Sequence, residues 1–491
     1  MKIVLNSFSF RSRFIYSTFP KFMFKKFVVP FLSVFTIVSL ALSPIHAQET
    51  TIWGQAETYS GQALHFYRYS NQITYPVDTL ASCTVDEAGN WKAVFTLTGT
   101  EQLYVDLGYY RGSFYAEAGK NYEIVLPEYR EKSKAESLNP LFEQPTIFLG
   151  ISSSEANEIN FRIRELTFRI DSFMMVHEKA LIRRALSPKT LQAFIDKQYA
   201  DFPPESAFWS TQLKYELAPL KQLVHYKPAQ LLLTDYFSTD SIMPNHESYM
   251  RFLKEEQDGL FAYAQRETAA LNEAMNQGDW KGALSHLQAV KGFEVGPWAE
   301  FFLLHVSFTR YWQGRFEGDK LVALLDSAMA HSSNQLTQSL TPLIKKQILQ
   351  LMPGQLAPDF KLPDANGNIV SLSDFRGKYV YLNFCSQESY PCRVNFQLMQ
   401  ELQEEFKRKL EIVSLSGDEN YRELVNSLHQ KSYFWTVLDA SAHSELFRTY
   451  RVKTIPSYFL IDPYGKLLLV PAPAPTENFR NEFFRVLNQQ P

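Results

Sequence analysis

Tyr379-Val380-Tyr381-Leu382-Asn383-Phe384-Cys385-Ser386-Gln387-Glu388-Ser389-Tyr390-Pro391-Cys392-Arg393 is the stretch that decides the fold. Its first six residues read as a run fit for a central strand with both faces covered. Pro391 suits the first turn of a helix, where the missing N–H would have had no partner anyway. Phe396, Met399, Leu402 and Phe406 then lie on one stripe, so the helix is amphipathic and packs on the sheet. Further on, Leu410 to Leu415 reads as a second buried strand, Tyr421 to His429 as a helix, Tyr433 to Leu438 as an extended segment and His443 to Tyr450 as another helix. This alternation predicts an α/β domain. Pro456 opens the next strand, a position that tolerates a missing ladder donor and often a cis bond, and Pro463-Tyr464-Gly465-Lys466 turns the chain back through Leu467 to Val470.

The flanks carry more motifs. Pro353-Gly354 precedes Ala357-Pro358-Asp359-Phe360, then the hairpin Asp364-Ala365-Asn366-Gly367-Asn368 and the segment Leu372-Ser373-Asp374-Phe375-Arg376-Gly377-Lys378. Ile455-Pro456 and Phe459-Leu460-Ile461-Asp462-Pro463-Tyr464-Gly465 follow. In order and spacing the set resembles thioredoxin domains of the TlpA/ResA type, exported and membrane-facing thiol-disulfide oxidoreductases. The resemblance covers residues 351–491 and implies a Cys-x-x-Cys-Arg motif at the helix start. Here the same register reads Ser389-Tyr390-Pro391-Cys392-Arg393, with Ser389 in the place of the attacking cysteine. The resemblance also sets Ile455 and Pro456 beside Cys392, where their backbone would receive an extended substrate peptide.

Exchange chemistry starts from a thiolate whose pKa is lowered at a helix N-terminus, and a second thiol resolves the mixed disulfide. A serine hydroxyl is barely ionised near neutral pH, so the expectation is an oxidoreductase-like domain with impaired dithiol activity. Cys392 and Cys385 are the remaining candidate catalytic residues, and three readings of them stay open. Cys392 is a relic in a non-catalytic envelope binding or scaffold protein. Alternatively it pairs with Cys385, provided the two Cα atoms come within about 4.4–6.8 Å. As a third reading, Ser389-x-x-Cys392 fits the Thr/Ser-x-x-Cys fragment of thioredoxin-like peroxidases, although Pro456 stands at the place of their activating arginine and only Arg393 or Arg451 offers a substitute.

The preceding chain changes character twice. Residues 48–135 alternate apolar and polar positions in short runs: Thr51 to Gln55, Gln62 to Tyr67, Asn90 to Leu97, Gln102 to Leu107, Ser113 to Ala116 and Tyr122 to Leu126. Turns such as Glu87-Ala88-Gly89-Asn90 separate them, which predicts an antiparallel β-sandwich-like domain. Residues 150–350 instead show helical period, as in Ile159, Ile163, Leu166, Phe168, Ile170 and Phe173, then Leu181 and Ile182. Breaks at Ser187-Pro188, Phe202-Pro203-Pro204, Met243-Pro244-Asn245, Gln277-Gly278-Asp279 and Gly292 divide a helical domain of seven to nine helices. Its aromatic residues, among them Trp209, Trp280, Trp298 and Phe302, are expected in the helix-packing core. His246, His286, His305 and His331 lack ligand spacing, so neither a metal nor any other cofactor is expected.

Residues 1–47 hold six Lys and Arg and no acid, and Lys25-Lys26 precedes an apolar run from Phe27 to Leu42. That is a signal peptide layout, which predicts export to the periplasm or cell envelope; left uncleaved, the same segment would be the only membrane contact. Without its six positive charges the remainder carries a formal net charge of −9, which excludes nucleic acid as a natural partner. Thiol- or disulfide-containing exported proteins, or other envelope components, are the expected partners. Three cysteines are too few for a disulfide scaffold, and Cys83 is expected to act as a small buried apolar side chain.

Overall fold

The computed structural model describes residues 47–133, 136, 142–152, 158–224, 226–237, 241–418 and 420–489. The expected signal segment, apart from Ala47, lies outside them. No helix among the described residues is long and apolar enough to cross a membrane.

Period-two alternation builds the first part. Its strands are β1 (Gln48–Gln55), β2 (Ala63–Tyr69), β3 (Val77–Thr84), β4 (Asn90–Leu97), β5 (Glu101–Leu107), β6 (Tyr110–Ala116), β7 (Asn121–Val125), β8 (Thr146–Phe148) and β9 (Gly150–Ile151). They form a four-stranded sheet, β4-β1-β7-β9, and a five-stranded one, β3-β2-β5-β6-β8. Along β4, Trp91, Ala93, Phe95 and Leu97 are buried and the residues between them exposed. With Ile52, Phe66, Leu103, Phe114 and Tyr122 they make one core shared by both sheets. Most pairings are antiparallel, but β1 with β7 and β6 with β8 run parallel, because the chain visits the other sheet between the two members of each pair.

Eleven α-helices follow among the described residues, α1 (Ile159–Val176), α2 (Glu178–Ile182), α3 (Pro188–Asp201), α4 (Ala207–Val224), α5 (Ala229–Leu232), α6 (Glu247–Glu267), α7 (Ala270–Asn276), α8 (Trp280–Gln288), α9 (Gly296–Trp312), α10 (Gly318–His331) and α11 (Gln335–Leu349). That exceeds the seven to nine expected, and the surplus is short: α2, α5 and α7 span too few turns for periodicity to register. Trp209, Trp280, Trp298, Phe301 and Phe302 are core residues, with Trp298 stacked on Phe237 at 5.1 Å. Two residues of the expected apolar stripe are not: Phe168 is 67% and Ile182 69% exposed.

The last part contains the hairpin β10 (Lys361–Pro363) and β11 (Ile369–Ser371), then β12 (Tyr379–Cys385), α12 (Tyr390–Phe406), β13 (Leu410–Ser416), α13 (Tyr421–Gln430), β14 (Thr436–Asp439), α14 (Ser444–Thr449), β15 (Ser457–Ile461), β16 (Leu467–Leu469) and α15 (Phe479–Gln489). The sheet order is β14-β13-β12-β15-β16, with β13 and β14 parallel to β12 and β15 antiparallel to it. All seven residues of β12 are buried. Tyr379, Tyr381 and Cys385 join the core under α12, α13 and α15, whereas Val380, Leu382 and Phe384 join the core under α14. This is a thioredoxin fold with helices on both faces.

Polar contacts tie the three parts together. Asn160 of α1 accepts from the Tyr115 N–H at 2.6 Å and donates to its carbonyl at 2.8 Å, in the manner of one more strand residue beside β6. Gln347 of α11 donates to the Thr74 carbonyl at 2.5 Å and accepts from Arg451 at 3.0 Å.

Candidate functional site

The site is the junction of three chain segments, the C-terminal end of β12, the N-terminus of α12 and the loop before β15. Ser389 is the N-cap of α12, in extended conformation, and Tyr390 and Pro391 begin the helix. The Ser389 hydroxyl accepts from the Cys392 N–H at 3.4 Å, a geometry that satisfies one of the helix's free donors. It also donates to the Ile455 carbonyl at 3.3 Å. The Ile455–Pro456 peptide is cis, and both residues are half-buried. The structure thus brings Ser389, Cys392 and Ile455 together, with Pro456 next in the chain.

Cys392, in the first turn of α12, is fully buried, as is Cys385. The alternation along β12 turns Cys385 toward α12, and both sulfurs belong to the same apolar core with Phe396, Met399 and Tyr458. They are free thiols. Burial pushes the Cys392 thiol above its ordinary pKa, against the pull of the Ser389 hydroxyl and the Ser386 backbone. Burial raises Cys385 further, and the neighbouring Cys392 adds to that. Neither environment favours a thiolate. Cys83, on β3, is only half-buried and packs at the margin of the β core.

The two arginines weighed as peroxide activators are both engaged, and only Arg393 acts on the Cys392 thiol, weakly. Arg393 donates to the carbonyls of Gln387 at 2.7 Å and Glu388 at 3.3 Å. Arg451 lies with its guanidinium 3.4 Å above the Trp312 ring, toward the helical part. Tyr390 is 69% exposed and Pro391 is exposed beside it, so the outer rim of the site faces solvent.

Sequence reasoning missed the residues that hold the loop ahead of α12. Asp418, just past β13, accepts from the Ser386 hydroxyl and the Gln387 N–H, each at 2.6 Å. Asn383 donates to the Ser414 hydroxyl at 3.3 Å, and Ser414 also accepts from the Trp435 indole at 2.9 Å. On α12, Asn395 accepts from the Thr476 N–H at 3.2 Å and so fixes the segment ahead of α15. Among the described residues no group of His, Cys, Asp and Glu is arranged to hold a metal ion.

The last part of the chain is similar to known proteins. The AhpC/TSA family model matches residues 353–470. Thiol-disulfide oxidoreductase ResA of Bacillus subtilis is 34% identical over 138 residues, which are 27% of this chain and 75% of the relative. ResA of Bacillus thuringiensis subsp. konkukian is 36% identical over 117 residues, 23% of this chain and 66% of the relative. A crystal structure of a putative thiol:disulfide interchange protein DsbE from Chlorobium tepidum is 32% identical and covers 28% of this chain and 97% of its own, with a TM-score of 0.25. Through its C-terminal domain, the chain belongs to the thioredoxin-fold family of ResA-type thiol-disulfide oxidoreductases.

Proposed function

We propose that the chain is an exported protein of the cell envelope whose thioredoxin domain binds extended polypeptide and has lost dithiol exchange. The observation that carries this reading is the double hydrogen bond of Ser389, to the Cys392 N–H and to the Ile455 carbonyl. The attacking position is filled by a hydroxyl, and the one thiol left in the motif is buried with a raised pKa. The rim around Tyr390, Pro391, Ile455 and Pro456 keeps the shape that receives a peptide. Residues 1–47 support export, and partners are thiol- or disulfide-bearing exported proteins or other envelope components.

Reduction of a model disulfide such as insulin tests the proposal. The unsubstituted protein and Cys392→Ser should be equally inert, and Ser389→Cys should gain turnover because it restores a nucleophile at the helix start. Turnover in the unsubstituted protein that Cys392→Ser abolishes would overturn the proposal.

A second reading has one observation in its favour: Cys385 and Cys392 face each other's environment within a single core. In that reading Cys392 attacks a substrate disulfide, and Cys385 then displaces the substrate thiol to leave a Cys385–Cys392 disulfide. Thiol counting by mass spectrometry decides it. Three free thiols after incubation with an excess of disulfide substrate speak for the binding module, and one, with Cys385 and Cys392 joined, for the pair. For the peroxidase reading the candidate is Arg393, whose charge is the smallest of the influences on the Cys392 thiol and whose guanidinium is bound to the Gln387 and Glu388 carbonyls.

A further inference from the structure

The outer side of α1 is apolar where a surface helix is normally polar. Phe161, Phe168 and Met175 are 46%, 67% and 73% exposed, and their spacing of seven places them on one line along the helix. Ile182, seven further on and past the break at His177, is 69% exposed. The inner face of α1 is already in use, since Ile159, Ile163 and Leu166 share a core with Trp209 and Leu213. The helix therefore has two apolar faces, and this chain's own core covers one of them.

Charges of opposite sign fill the gaps in the outer line. Phe161-Arg164-Phe168-Asp171-Met175 steps by three and four residues in turn, and Arg164 and Asp171 are both exposed. Their neighbours are neutralised within the chain: Glu165 pairs with Arg169, and Arg169 with Asp201. Arg164 and Asp171 have no ion pair among the described residues.

This pattern is self-complementary in one direction only. If two copies of α1 run antiparallel about a twofold axis at Phe168, Phe161 of each meets Met175 of the other and Phe168 meets Phe168. Arg164 of each then falls within one residue of Asp171 of the other, and symmetry makes this contact twice. A parallel pairing would set Arg164 on Arg164 and Asp171 on Asp171, which repels. An anionic lipid surface would meet Asp171 in the middle of the stripe, so charge favours a second copy over a membrane. We infer that α1 is the seam of an isologous, antiparallel homodimer. A stable interface takes about 800 Å² from each partner, and the exposed apolar side chains of Val176, at 75%, and Ile182 are available to extend the seam.

Light scattering and sedimentation of the purified protein over a range of concentrations should give twice the chain mass, and Phe168→Asp should give a monomer with unchanged circular dichroism. Arg164→Asp and Asp171→Arg should each weaken association by about tenfold or more, and the double variant should restore it. Phe168→Cys should form an intermolecular disulfide on mild oxidation, because the residue meets itself on the axis. A monomer at every concentration overturns the inference, as does a dimer indifferent to Phe168→Asp or a double variant no better than the singles. Capture of the monomer by anionic vesicles would assign the stripe to lipid and overturn it as well.

Discussion

The Ser389 hydroxyl makes two bonds, one within its own helix and one across to the loop ahead of β15, and so joins the two segments that define the site. The loop in front of it depends on a carboxylate from a third segment. Asp418 is the acceptor for both the Ser386 hydroxyl and the Gln387 N–H, and removing it strands two donors. Asp418→Ala is expected to lower stability by about 1 kcal/mol, the low end of the range for groups left without partners, because Ser386 and Gln387 are only half-buried. Urea unfolding measures this, and a change within about 0.5 kcal/mol, typical of an ordinary surface site, would show that the loop does not depend on it. Ser389 and Cys392 were legible because they lie in the motif itself. Asp418 was not, since it lies 32 residues from Ser386 and nothing local marks it as more than a loop acid. Asn383 was hidden in the same way: its partner Ser414 is identified only by the parallel register of β12 and β13, which sets the two residues side by side.

At the scale of the element, one turn recurs three times. In Asp86-Glu87-Ala88-Gly89-Asn90 the Asp86 carboxylate accepts from the N–H groups of Ala88 and Asn90 at 2.9 and 2.7 Å. Asp364 does the same for Asn366 and Asn368 at 2.9 and 2.8 Å, and Asp462 for Tyr464 and Lys466 at 2.9 and 2.7 Å. The fourth residue of each turn is a glycine in the left-handed region. A shared backbone with different surroundings allows strain and packing to be separated. A Cβ at Gly367 would meet nothing within 4 Å, whereas one at Gly89 would lie 2.6 Å from the Glu57 backbone nitrogen. Gly367→Ala is therefore expected to cost only the left-handed penalty, about 1–2 kcal/mol, and Gly89→Ala distinctly more. Equal losses in denaturant titrations of the two variants would refute the packing part of the argument. These turns could be read in the sequence because aspartate and glycine act locally. Strand β3 could not. Val77-Asp78-Thr79-Leu80-Ala81-Ser82-Cys83-Thr84 is an edge strand with no fully buried residue, so the apolar alternation that reveals a strand never develops. The outer stripe of α1 and Ile182 on α2 misled for the opposite reason: Phe168 and Ile182 have the period of a core face, and period alone does not say whether a chain buries that face itself.

Across the whole molecule, the parts are joined by polar groups whose partners come from distant sequence, such as Gln347 between Thr74 and Arg451. Two buried histidines are expected to subtract from the molecule's stability in acid, against an opposing contribution from partly buried carboxyls. His305, in the core of the helical part, has no hydrogen-bond partner on either ring nitrogen among the described residues. Burial, with a smaller push from Lys254, lowers its pKa from 6.5 to about 3. His246 is held down to about 4, again mainly by burial. Their sequence context announced only that they are poor metal ligands, because burial of this kind is a tertiary property. In the unfolded chain both imidazoles take up a proton near pH 6.5, whereas in the folded chain they stay neutral to much lower pH. On their account the unfolded state binds more protons, and stability falls as the pH drops from about 6.5 toward 4. Glu256 works in the opposite sense: burial lifts its pKa from 4.5 to about 7, so the folded state holds its proton longer and gains as the pH falls through that window. Burial raises Glu247 and Glu255 in the same direction. A variant compared with its parent cancels these carboxyls and isolates one imidazole, for which each tenfold change in proton affinity is worth about 1.4 kcal/mol. His305→Phe removes the more strongly depressed of the two, and the new ring can keep the parallel packing against Phe301, now at 6.3 Å between centroids. The expected result is a urea midpoint that declines less between pH 6 and pH 4 in the variant than in the unsubstituted protein, with little difference near pH 7.5. Parallel declines would mean that His305 is protonated in the folded state, and that water or a rearranged helix core reaches it there.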